Sequence, residues 1–166
     1  FLGKVSVFQA IVPRTGPKGN LPARPVYNFI DRLVDQHLAR LNVHPSGVAD
    51  DATYLRRIFL DLIGTLPTGN ETEAFLKDQA PDKRAKLVQR LMDRPEFADF
   101  WALKWSDILR VDRLALGHEN AFAYYGWIRE AMRKNKPLDQ WARELLSAEG
   151  PLQDQPAGFF YKVAAK

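Results

Sequence analysis

The alternation of apolar and polar positions changes period once along the chain. From Lys4 to Val12 the run Lys-Val-Ser-Val-Phe-Gln-Ala-Ile-Val places Val5, Val7 and Ile11 at alternate positions and is rich in β-branched residues, the signature of a strand. A single strand cannot satisfy its own backbone, so this one is expected to join a sheet supplied from outside the chain. Pro13 to Pro25 then holds four prolines and two glycines and reads as an extended linker.

From Val26 onward the spacing is helical. Phe29, Ile30, Leu33, Val34, Leu38 and Leu41 form one stripe behind a capping Asn28. A turn at His44-Pro45-Ser46-Gly47 leads to a second helix starting near Asp50 or Asp51, with Leu55, Ile58, Phe59, Leu62 and Ile63 on its core face, Gly64 as C-cap and Pro67 as stop. Thr68 and Glu71 make a capping box for a short helix carrying Ala74, Phe75 and Leu76. Pro81 opens a fourth helix with Ala85, Leu87, Val88, Leu91 and Met92. Pro95 opens a fifth, Glu96 to about Arg110, whose apolar positions include Phe97, Phe100, Trp101, Leu103, Trp105, Ile108 and Leu109. A loop around Gly117 and His118 precedes a sixth helix, about Asn120 to Lys134, and Pro137 opens a seventh containing Trp141, Leu145 and Leu146. After Gly150-Pro151 no period is visible, and Phe159-Phe160-Tyr161 either packs onto the helices or leads towards a following domain. The pattern predicts an all-α domain over 26–150, about seven short helices in an orthogonal array or irregular bundle, between a strand and linker (1–12, 13–25) and a C-terminal extension (151–166).

Composition narrows the function classes. An apolar share of 46% and a charged share of 27% are those of an ordinary globular domain. No apolar run approaches the ~20 residues of a membrane span. The net charge of +4 is mild, with acids interspersed among the bases. The one basic run, Lys83, Arg84, Lys86, Arg90 and Arg94, reads as the solvated side of a helix, so no nucleic-acid partner is expected. The absence of cysteine excludes disulfides, thiolate metal sites and covalent c-type haem in this segment. No signal peptide is visible, and both ends read as cuts in a longer polypeptide.

Candidate chemistry is sparse. Arg57 and Asp61, four apart on the second helix, can pair along one face, either as an anion clamp or as an ion pair fixing that helix to a neighbour; the second is the plainer expectation. Trp101 and Trp105 are also four apart, with Asp107 and Arg110 following. They suit a carbohydrate platform or cofactor lining, but an aromatic core is expected first, with Asp107 or a nearby carbonyl accepting an indole N–H. Asp112, Arg113, His118 and Glu119 flank one loop. However, His37, His44 and His118 lack metal-ligand spacing, and no catalytic residue or metal ligand is assigned. Tyr124, Tyr125 and Trp127 are too close in sequence to all face inward, so one is expected at the surface or at an interface. No phosphate loop or nucleophile elbow is present.

In order along the chain, Asn28-Phe29-Ile30-Asp31, Leu55-Arg56-Arg57, Phe59-Leu60-Asp61-Leu62-Ile63-Gly64, Leu66-Pro67-Thr68, Asp82-Lys83-Arg84, Leu87-Val88-Gln89-Arg90-Leu91, Pro95-Glu96-Phe97, Trp101 to Asp107 with Arg110, and Asn135-Lys136-Pro137 resemble the planctomycete cytochrome-associated domain of unknown function. The first strand is similar to the closing strand of a bacterial immunoglobulin-like domain. The resemblance implies an exported, periplasmic or cell-surface multidomain protein whose partners are its own neighbouring domains, a cytochrome-c-like module or an envelope protein. No activity is established for that family, and with covalent haem excluded by the absence of cysteine no cofactor is expected in this segment, noncovalent haem through a histidine being left open. The expected role is a non-catalytic scaffold or interaction domain. The alternative is a ligand-binding or catalytic part of a polysaccharide-processing or redox assembly, with Arg57, Asp61, Trp101, Trp105, Asp107 and Arg110 as ligand-binding residues.

Overall fold

A computed structural model describes residues 10–16 and 25–164 and divides into two compact units, Phe1–Ala49 and Asp50–Lys166. The described residues are all-α, with nine helices and no strand. Most of the expected strand, and residues 17–24 of the expected linker, lie outside the described residues; Ala10 to Val12 carry no strand.

In the first unit, α1 (Phe29–Leu41) is closed at both ends. The Asn28 carboxamide oxygen accepts from the N–H groups of Ile30 and Asp31 (2.8 and 3.2 Å), and the Asp31 carboxylate accepts from the Asn28 N–H (3.2 Å). This capping box satisfies amides that the helix leaves free. At the other end Asn42 takes the left-handed conformation (φ 52°), with Asn42 N–H donating to the Ala39 carbonyl and Val43 N–H to that of Leu38, the bonding of a Schellman close. The earlier segment is tied here too: Arg14 N–H donates to the Leu41 carbonyl (2.8 Å). Yet α1 buries no residue at all.

The second unit contains α2 (Asp51–Ile63), α3 (Gly69–Lys77), α4 (Lys83–Met92), α5 (Pro95–Ile108), α6 (Arg113–Leu116), α7 (His118–Arg133), α8 (Leu138–Leu146), a 3-10 turn at Pro156–Gly158 and α9 (Phe159–Ala164). The two helices beyond the expected seven, α6 and α9, are one or two turns long. A segment that short shows no period, and packing rather than propensity holds it.

Two apolar cores flank α5. Leu55, Phe59 and Ile63 of α2 pack with Phe75 of α3 and with Leu87 and Leu91 of α4, and Phe97 of α5 leans on this group. The other core joins Ala102 and Leu109 to Tyr124 and Ile128 of α7, Trp141 of α8, and Phe159 and Val163 of α9. The segment without a visible period therefore supplies core residues. The buried face of α5 is small: Ala98, Ala102 and Ser106, with the Ser106 hydroxyl returned to the Ala102 carbonyl (2.7 Å). Such a face lets α7 approach closely through Ala121 and Ala131. Leu103 and Ile108, counted among the apolar positions of this helix, are exposed instead.

Ion pairs reinforce the contacts between helices that the first of these cores already joins. Lys83 and Arg84 at the start of α4 both reach Asp51 at the start of α2 (2.7 Å each). Arg94 spans Glu71 of α3 (2.7 Å) and Glu96 of α5. The basic run read as a solvated side is thus corrected: three of its five members are half-buried clamps.

Candidate functional site

The six residues singled out in the sequence do not converge. Arg57 and Asp61 are exposed on α2, and no ion pair joins them among the described residues. They sit two positions from the buried Leu55 and Phe59, which at ~100° per residue is the opposite side of the helix. The expectation of a pair pinning α2 to its neighbour is therefore corrected.

On α5 the two indoles part company. Trp105 meets Trp141 edge to face with ring centroids 4.7 Å apart, and Trp127 adjoins the same Trp141 at 5.8 Å. Trp101 packs instead with Phe97 and Phe100, at 6.0 Å each. Its ring nitrogen is buried without a hydrogen-bond partner among the described residues, so the expected acceptance by Asp107 does not occur. Asp107 is exposed, two residues and about 200° round the helix from Trp105. Arg110 is exposed as well and adopts φ 56°. Arg110 N–H donates to the Asp107 carbonyl (3.2 Å) and Val111 N–H to that of Ser106 (2.9 Å), so Arg110 holds the left-handed position of a Schellman close.

On α7, Tyr124 is wholly buried and its hydroxyl has no partner among the described residues, whereas Tyr125 and Trp127 are half-buried. Burial drives the Tyr124 phenol far above its ordinary value. The aromatic this helix does expose is Phe122, at 71%. Among the described residues no three His, Asp or Glu side chains gather as a metal site would require.

Two recesses are lined largely by residues that the sequence placed in the core, in caps or in the basic run, and of the six candidates only Trp101 is among them. One, about 670 Å³, opens over Phe59, Phe75, Leu87 and Leu91 between α3 and α4, with Glu71 and Arg94 at its rim. Glu71 is held below the ordinary carboxylate range first by the Thr68 N–H, then by the Thr68 hydroxyl and Arg94, so this rim is a fixed ion pair. The other is a groove between the start of α5 and the end of α7. It has a larger part of about 550 Å³ and a smaller one of about 260 Å³, which share Phe97, Met132 and Asn135. Two segments that carry the resemblance, Pro95-Glu96-Phe97 and Asn135-Lys136-Pro137, meet here beside Trp101. Arg129, held to Asp99, and Arg133, held to Glu130, stand along it.

The family model PSCyt2, described as a protein of unknown function (DUF1549), matches residues 29–165. No curated protein and no solved structure matches the chain.

Proposed function

From the premise that this chain belongs to the PSCyt2 family of proteins of unknown function, we propose that it is a non-catalytic scaffold or interaction domain of a larger exported protein of the planctomycete cell envelope. The observation that carries the reading is α1. Its capping box and its left-handed close are both formed, yet its apolar stripe is uncovered: Phe29 is 62% and Leu33 58% exposed, with Ile30 and Val34 beside them. An isolated helix of this length is marginal in water. Covering each large apolar side chain contributes roughly 1.5–3 kcal/mol. A stripe prepared in this way has its natural cover in a neighbouring domain of the same polypeptide, and a cytochrome-c-like module or an envelope protein is the wider partner set. Export and a periplasmic or cell-surface location are drawn from the family resemblance. No helix among the described residues is long and apolar enough to cross a membrane.

The competing reading, a ligand-binding or catalytic part of a polysaccharide-processing or redox assembly, draws on Trp101 lining the smaller recess. It is the weaker because Trp105 and Asp107 point to different sides of α5, so the intended cleft has no common wall.

Titration of the chain with its separately produced flanking domains, followed by calorimetry, tests the proposal. At least one domain is expected to bind, with affinity falling about tenfold or more in Leu33→Glu. Failure to bind any flanking domain or envelope fraction, together with turnover of a glycan or ester by the chain, would overturn it.

A further inference from the structure

The groove between α5 and α7 has an uneven make-up. Both methionines of the chain, Met92 and Met132, line it beside Phe97 and Ala98. Methionine is unbranched and polarisable, and it adapts to side chains of differing shape. Along the rim stand the cations Arg94, Arg129 and Arg133, continued by Lys136 in the smaller recess, against one acid, Asp93.

Each cation is held by carboxylates that do not themselves line the groove. Arg94 is held by Glu71 and Glu96, Arg129 by Asp99, Arg133 by Glu130 and Lys136 by Glu144. These bonds use only part of each side chain's donors. Arg129 gives its Nε to Asp99, and Arg133 gives Nε and Nη2 to Glu130, whereas a guanidinium carries five N–H groups. The remaining donors are already positioned, so an incoming acceptor loses less side-chain entropy on binding.

We propose that this groove docks an acidic amphipathic peptide segment, its apolar side chains set among Met92, Met132 and Phe97 and its carboxylates on Arg129, Arg133 and Lys136. The floor argues for a peptide over an acidic sugar. A sugar ring wants a free aromatic face, whereas Trp101 is packed against Phe97 and Phe100 with its ring nitrogen buried. Recognition by apolar anchors plus a complementary charged rim is how grooves take amphipathic helices. The groove lies wholly within the second unit and owes nothing to α1, so this inference and the proposed function stand or fall separately.

The test is fluorescence anisotropy with the full chain and a short labelled peptide of leucine and glutamate in helical register, alongside its leucine–lysine counterpart. The acidic peptide is expected to bind saturably and the basic one not to bind. Arg133→Glu is expected to weaken binding at least about tenfold, and Arg57→Glu, the same charge change on the exposed side of α2, to leave it unchanged. Met92→Glu, at a half-exposed position outside both cores, is a second variant expected to weaken binding without unfolding the chain. The proposal is overturned if neither peptide binds, if both bind alike, if Arg57→Glu weakens binding as much as Arg133→Glu does, or if polyglutamate or an oligogalacturonate competes as well as the acidic peptide.

Discussion

Tyr124 and Arg110 show how residue-scale chemistry separates structural from functional roles. Tyr124 is enclosed between Trp127 and Phe159, with centroids 6.1 and 6.2 Å away, and its hydroxyl has no partner among the described residues. A buried hydroxyl without a partner costs about 1–3 kcal/mol. Tyr124→Phe is therefore expected to raise the stability of the chain by about 1 kcal/mol in urea unfolding; a loss of that size would mean the hydroxyl is bonded. Arg110, chosen from the sequence as a ligand-binding residue, has a backbone role. A side chain in the left-handed region costs about 1–2 kcal/mol that glycine avoids. Arg110→Gly should stabilise by about 1 kcal/mol and leave binding of partners unchanged, whereas a ligand clamp would lose binding on the same substitution.

At the scale of the element, helix ends were the most legible part of the sequence. Asn28, Asp50 and the Thr68–Glu71 box cap the helices they were expected to cap, and Gly64 closes α2 at φ 71°. A Cβ on Gly64 would lie 2.4 Å from Cδ2 of Phe100. Gly64→Ala thus combines left-handed strain with a clash against a half-buried ring, and a loss of about 2 kcal/mol is expected in thermal or chemical unfolding. The caps also set the response to acid. Glu71, Glu96 and Asp51 are all held below their ordinary values, Glu71 by the Thr68 amide first, Glu96 by Arg94 and Asp51 by Lys83 and Arg84. A carboxyl whose folded pKa is lowered binds fewer protons in the folded state. Its contribution is complete above the ordinary value, 4.5 for glutamate, and is lost as pH falls through the lowered folded value. The melting temperature should therefore fall as pH drops below about 4.5, and less steeply in Glu71→Gln; identical slopes would show that the capping carboxylate carries no such linkage.

What the sequence hid at this scale has physical causes. Hydrophobicity marks large side chains, so the sequence points to the α5 aromatics, which are half-buried beside the cores, while the positions this helix buries fully are Ala98, Ala102 and Ser106. Ion clamps between distant segments, such as Arg94 with Glu71, leave no local spacing to find. The Trp105–Asp107 separation, by contrast, could have been excluded as a shared cleft from the helical repeat alone.

Across the whole molecule, the second unit is complete in itself, with two cores on either side of α5 and clamps across its helix ends. The first unit is built differently: α1 has every local feature of a stable helix and no buried residue. That contrast is why an interaction role is proposed. Hydrogen–deuterium exchange of the α1 amides, measured in this chain alone and again with the neighbouring domains that the proposal requires, tests it most directly. The account predicts fast exchange across Phe29–Leu41 in the chain alone and strong protection once the neighbours are present. Equal exchange in the two samples would contradict it.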